Sequence, residues 1–201
     1  MTYDQRSDRD LLDHLVAVIS SDRFLKMQGL GNEVPFFICP FDPRKANNIE
    51  KIRKNLSSQL LSNGVDILEI NLYDLCFDLL NRDDDWSWYV EKEPEIGKEK
   101  LLEDMQSILD VEKNIIPAIA ERMKAKKFGI LILSGVGEVF PIIRSHNLLS
   151  NLQSTAKYQP TLMFFPGTYS YSPEKGSSLE LFGKLHDDNY YRAFNILNRS
   201  A

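Results

Sequence analysis

Apolar positions along the chain fall into two rhythms, and their alternation sets the fold class. Leu11, Leu12, Leu15, Val16 and Ile19 recur at helical spacing. Ser7 precedes them with Asp10 three residues on, which resembles a capping box. Pro35-Phe36-Phe37-Ile38-Cys39 is instead short and apolar throughout, predicting a buried strand stopped by Pro40. Helical spacing returns over residues 47–61 through Ile49, Ile52, Leu56, Leu60 and Leu61, with Asn63-Gly64 placed as a left-handed carboxyl cap. Residues 65–70 predict a second strand. Asn71 then caps a helix carrying Leu72, Leu75, Cys76, Leu79 and Leu80 on one side.

Residues 81–97 are acidic, hold Trp86, Trp88, Tyr89 and Pro94, and sustain no period. They predict an excursion on the surface. A long helical pattern starts at Lys98 and runs through Leu101, Met105, Ile108, Leu109, Ile115, Ile116, Ile119 and Met123. Pro117 either kinks that helix or marks the first turn of a new one starting near Asn114. Residues 128–133 predict a third strand, 134–137 a tight turn, 138–153 a helix and 161–165 a fourth strand. Pro166-Gly167 then turns the chain and Tyr169 packs on the rim. Ser177 or Ser178 caps a short helix through Leu179, Leu181 and Phe182. Asp187 or Asp188 starts final helical turns that lay Tyr190, Tyr191 and Phe194 against the same region.

Strands apolar throughout, alternating with helices, predict a parallel sheet covered on both faces. The expected fold is one three-layer α/β domain over residues 1–201, with a mainly parallel central sheet flanked by helices. Its order is P-loop-ATPase-like, an analogy of fold alone.

Ligands of such sheets bind beyond the carboxyl ends of the strands. The first of these ends reads Pro40-Phe41-Asp42-Pro43-Arg44, where a P-loop needs glycine amides and a lysine. Two prolines remove amide donors, and Asp42 repels phosphate. Ser134-Gly135 follows the third strand where a magnesium-binding Asp would stand. Walker motifs are therefore missing. Gly135-Val136-Gly137 resembles a dinucleotide fingerprint, but Phe140 takes the third glycine position and a tight strand-to-helix turn explains the pair better. His14, His146 and His186 lie in separate elements without metal-ligand spacing. His186-Asp187-Asp188 has acid–base potential, although helix caps account for the aspartates. No G-x-S-x-G elbow or H-E-x-x-H occurs. No catalytic residue, metal ligand or cofactor is assigned. Cys39 and Cys76 stand apart in apolar settings, as reduced buried thiols do.

Composition bounds the partners. The chain has 201 residues, 43% hydrophobic and 26% charged, with net charge −5. That balance disfavours a protein whose main task is gripping nucleic acid. Arg122, Lys124, Lys126 and Lys127 form the densest basic run, at a predicted helix end whose dipole favours cations. No apolar run approaches the roughly 20 residues that span a bilayer. The polar start lacks a signal peptide's apolar stretch, so a cytoplasmic location is expected. Asp83-Asp84-Asp85-Trp86-Ser87-Trp88-Tyr89 lacks the spaced ligands of a calcium loop. Its rings either fold back over the core or present an interface.

From Phe164-Phe165-Pro166-Gly167-Thr168-Tyr169 through Ser178-Leu179-Glu180-Leu181-Phe182-Gly183 to Asp187–Phe194, the chain is too aromatic for a solvated tail. With residues 130–138 and 141–149 upstream, this segment closely resembles the signature of the BrxB family of BREX bacteriophage-defence systems. The resemblance covers most of the chain and is strongest from residue 128 onward. It implies a non-catalytic assembly component whose partner is the alkaline-phosphatase-like PglZ protein, with other BREX components as further candidate contacts. The contact residues expected are Trp86, Trp88, Tyr89, Tyr169, Tyr171, Tyr190 and Tyr191. Two rivals stand beside this reading. One is a metal-dependent hydrolase or nuclease using Asp42, Glu138 or Asp187-Asp188, which requires those carboxylates to converge. The other is a DNA-contacting subunit using residues 122–127 with Arg44, Lys45, Lys51 and Arg53.

Overall fold

The Ser7 hydroxyl accepts a hydrogen bond from the Asp10 amide at 3.1 Å, and α1 (Asp8–Ile19) begins there as its sequence predicts. The computed structural model describes residues 3–28, 34–82, 85–172, 176–187 and 193–201, excepting the side chains of 85, 171–172, 176–177 and 186–187. A short helix α2 (Asp22–Leu25) leads to β1 (Phe36–Phe41) and, after one 3-10 turn, to α3 (Ala46–Ser62). Gly64 ends α3 at φ +80°. The Val65 amide donates to Leu60 O at 2.9 Å and the Gly64 amide to Leu61 O at 3.0 Å, the paired bonds of a Schellman cap.

Then come β2 (Ile67–Asn71), α4 (Leu72–Arg82), α5 (Asp85–Lys92) and α6 (Lys98–Ile108). A π-helical turn at Val111–Ile115 feeds α7 (Ile116–Ala125), so Pro117 opens a new helix rather than kinking one. The remainder is β3 (Ile130–Ser134), α8 (Ser145–Leu152), β4 (Thr161–Ser172), β5 (Gly176–Leu181), β6 (Leu185–Asp187) and β7 (Phe194–Asn195).

The central sheet runs β2-β3-β4-β1-β7, every pair parallel. Alternate side chains feed two cores. Phe37, Cys39, Ile130, Ile132, Leu162 and Phe164 pack under α1 and α3. Phe36, Ile38, Leu131, Leu133, Met163 and Phe165 pack under α4, α7 and α8. The chain changes layers because β1 to β2 runs one way across the sheet and β2-β3-β4 returns the other way. Crossovers of one hand then land on opposite faces. The result is the α/β sandwich of layers that the strand pattern predicts.

Five local expectations are corrected. Pro166-Gly167 does not turn the chain. β4 runs on through them, leaves the parallel sheet, and pairs antiparallel with β5, Gly167 opposite Leu181 and Tyr169 opposite Leu179. The stretch expected as a helix at 177–182 is that strand, because Leu179 and Leu181 are both buried at a spacing of two. Helix α8 begins at Ser145, not 138, since Pro141 interrupts the earlier pattern. The 81–97 excursion contains α5, whose Trp86 and Tyr89 sit one turn apart against the core. Asp187 ends a strand, and the described residues after 192 form β7 and a 3-10 turn rather than a helix.

Gly167 reports on the hairpin. A Cβ there would lie 2.0 Å from Glu180 O and 2.7 Å from the Phe165 ring. Gly167→Ala must push β4 and β5 apart, and we expect urea denaturation to show a loss of about 3 kcal/mol. A loss under about 0.5 kcal/mol would refute that pairing.

Candidate interaction surface

The carboxyl ends of β1 to β4 enclose a crevice of about 430 Å³. The Asn71 side chain caps α4, accepting from the Tyr73 amide at 2.8 Å. Gly135, at φ +75°, passes so close that a Cβ would sit 2.3 Å from Asn71 Oδ1. At Gly137 a Cβ would meet the Pro166 ring at 2.8 Å and Phe182 at 2.9 Å. The two glycines thus serve close packing of turn on cap and on hairpin.

Charge in and around this crevice is already balanced by the protein. Arg53 is buried, paired with Glu50 at 2.7 Å and with Glu69. Hydrogen bonding from Arg53 holds the Glu50 carboxyl below the usual range, against an opposing effect of burial. Beside it, Asp42 accepts from the Arg44 amide at 3.0 Å and from the Arg44 guanidinium at 2.6 Å. Glu138 lines the crevice, and no lysine does among the described residues. Ser134 Oγ is buried without a protein partner, a neutral hydroxyl that leaves the charge unchanged. A phosphate would meet carboxylates and prolines here.

Of the carboxylates in the hydrolase reading, Glu138 and Asp42 can be placed against this crevice. Glu138 lines its wall, whereas Asp42 is engaged as a cap beside it. The His186 and Asp187 side chains, and Asp188, lie outside what the structure describes. No group of three or more metal-ligating side chains occurs among those described. His14 Nε2 lies 3.2 Å from Ile196 O, tying α1 to the carboxyl-terminal turn. Cys39 and Cys76 are free and belong to opposite cores. Burial pushes both thiols up to about 12.

The exposed aromatic surface lies on α4 and α5. Trp86 is half-buried, edge-on to Phe77 at 5.3 Å between ring centroids. Together with Tyr73, Met105 and Ile142 they border an apolar hollow of about 110 Å³. Because Trp86 and Tyr89 turn toward the core, Trp88 points out, 51% exposed, and Val90 in the last turn of α5 is 55% exposed. The Trp88 ring stands edge-on to Tyr89 at 4.8 Å. Tyr73 and Phe77, 50% and 41% exposed, extend the patch along α4. Sequence reasoning missed these two. Their signal was an i, i+4 aromatic pair flanking the buried stripe of α4.

Tyr169 belongs elsewhere. Its hydroxyl donates to Ala193 O at 2.6 Å, and its half-buried ring lines a separate hollow with Tyr3, Arg6 and Asn198. It fastens β4 to the carboxyl-terminal segment. The Tyr171 side chain, Tyr190 and Tyr191 lie outside the described residues. The basic groups expected to act as one DNA track are divided. Residues 122–127 precede β3, whereas Arg44 and Lys45 follow β1, at the opposite end of a parallel sheet. Arg122 pairs with Asp78, and Lys126 Nζ donates to Ile67 O at 2.9 Å.

Asp42 offers a pH test. Its carboxyl is held below the usual value by hydrogen bonds from Arg44. A depressed folded-state pKa stabilises the fold above the unfolded-state value and loses that effect as pH falls through the folded value. We expect Asp42→Asn to lower the thermal midpoint near neutral pH, with the gap to wild type closing below about pH 4. A gap that persists in strong acid would contradict this.

The protein-family model described as BREX protein BrxB matches residues 68–196. A BREX protein BrxB of Bacillus cereus (strain H3081.97) is 32% identical over 198 residues, covering 96% of this chain and 100% of the relative. A second, of Escherichia coli O9:H4 (strain HS), is 31% identical over 186 residues, covering 92% and 90%. No solved structure matches significantly. No helix among the described residues is long and apolar enough to cross a membrane. The matched family region runs from β2 to the carboxyl-terminal turn, and the relatives align over nearly the whole chain: this protein belongs to the BrxB family of BREX proteins.

Proposed function

We propose that this protein is a non-catalytic assembly component of a BREX phage-defence system, binding the PglZ-type alkaline-phosphatase-like protein through α4 and α5. The observation that carries the reading is the run of outward aromatic side chains Tyr73, Phe77 and Trp88 beside half-buried Trp86. Exposed rings cost free energy in water and gain it in a pocket, so tryptophan and tyrosine dominate binding hot spots. The rings are already held by the core and by one another, so binding orders little that is not ordered beforehand. The crevice at the strand ends supports the same reading by default of chemistry. Arg44 and Arg53 are neutralised by neighbours, and Pro43 takes an amide donor from the turn after β1.

Co-expression with the PglZ-type protein, followed by purification through a tag on this chain, tests the proposal. Recovery in fixed proportion is expected. Trp88→Ala and Phe77→Ala should each weaken the complex about 30-fold, the scale of a hot-spot side chain worth ~2 kcal/mol, with little change in thermal midpoint. Capture that survives the double variant undiminished would move the contact elsewhere. A wild-type chain recovered alone would end the assembly reading.

A further inference from the structure

The turn before β3 and the turn before β4 lie side by side, because Leu131 is the register partner of Thr161 and donates its amide to Pro160 O at 3.0 Å. That adjacency brings two distant sequence segments together at the amino-terminal edge of the sheet. Between them is an open hollow of about 530 Å³. Lys124, Lys126, Lys127 and Phe128 line it from the segment before β3, and Tyr158 and Gln159 from the segment before β4. No carboxylate lines it among the described residues.

Two properties of this hollow are unlike the rest of the surface. The chain as a whole carries net charge −5, yet here three lysines collect with no carboxylate among the described lining residues, the Lys126 ammonium giving one of its three N–H groups to Ile67 O, and Lys157 is exposed next to Tyr158. Tyr158 is 81% exposed, more than any other large apolar or aromatic side chain described. A capping role for helix α7 explains cations in its last turn. It does not explain an aromatic ring held in solvent across from them. A ring standing beside lysines suits a ligand with a flat π-face and negative charge a few ångströms away.

We propose that this hollow binds single-stranded nucleic acid, with one unpaired base stacked on Tyr158 and the adjoining phosphates on Lys124, Lys126 and Lys127. An unpaired strand fits because a base inside a duplex has no free face to offer. An acidic peptide would satisfy the lysines and leave the ring unused. This inference is independent of the aromatic surface on α4 and α5, and it concerns a local patch, not a protein built mainly to grip nucleic acid.

Fluorescence anisotropy with a labelled oligothymidylate of about 15 nucleotides tests it. Binding is expected at low salt, falling with a log–log slope of about −2 as salt rises, the value for three phosphates on a single strand. Tyr158→Ala should weaken binding about tenfold while leaving the salt slope unchanged. The Lys124→Glu, Lys127→Glu double variant should flatten the slope and lose most of the affinity. Both alter exposed side chains, so their thermal midpoints should stay at the wild-type value, which separates lost binding from lost folding. No binding at low salt would overturn the proposal, as would equal affinity for a duplex of the same length. Displacement by polyglutamate at matched charge, with Tyr158→Ala unaffected, would also overturn it and assign the hollow to acidic peptides.

Discussion

Every residue of β3, from Ile130 to Ser134, is buried, Ile130 and Ile132 toward one layer and Leu131 and Leu133 toward the other. A strand in that position cannot exist unless both faces of its sheet are covered. The order of helices follows from this demand. α1 and α3 close one face, while α4, α7, α8 and the β4-β5 hairpin close the other. Removing a large side chain from either layer leaves a cavity costing about 2–5 kcal/mol, a large part of the stability of an ordinary domain. The surfaces that remain for function are therefore edges and outer helix faces.

Those surfaces differ in chemistry. At the carboxyl ends of the strands, glycines allow turn, cap and hairpin to touch, and the arginines are matched by acids. The position that serves ligands in open α/β sheets is here a crevice of about 430 Å³ whose Arg53 is already paired with Glu50 and Glu69. On α4 and α5 the opposite holds, with rings that the core needs only in part. At the amino-terminal edge, lysines and one tyrosine meet because β3 and β4 are neighbours. Membership of the BrxB family sets this division within a BREX system.

Elements whose local pattern agreed with their tertiary setting were legible in the sequence. The caps at Ser7, Asn71 and Gly64 are examples, as are the four apolar strands. The carboxyl-terminal third misled for a physical reason. Leu179, Leu181 and Phe182 allow a helical turn or a strand, and only the antiparallel partner β4 decides between them. Pro166 and Gly167 carry turn chemistry, yet β4 carries both past the end of its pairing with β3, where the Pro166 carbonyl accepts from the Phe182 amide at 2.8 Å. Trp86 and Trp88 were legible as candidate contacts. Tyr73 and Phe77 carried only the weak signal of an i, i+4 aromatic pair, and Tyr158 carried none, because its neighbours at 124–128 are distant in sequence.

The central claim is that the outer face of α4 and α5 works by contact with a partner. Hydrogen–deuterium exchange of this protein, alone and mixed with the PglZ-type protein, tests it most directly. The account predicts new protection in peptides covering residues 72–92, with the strand-end turns at 134–138 unchanged. Protection confined to those turns, or none anywhere at saturating partner, would contradict it.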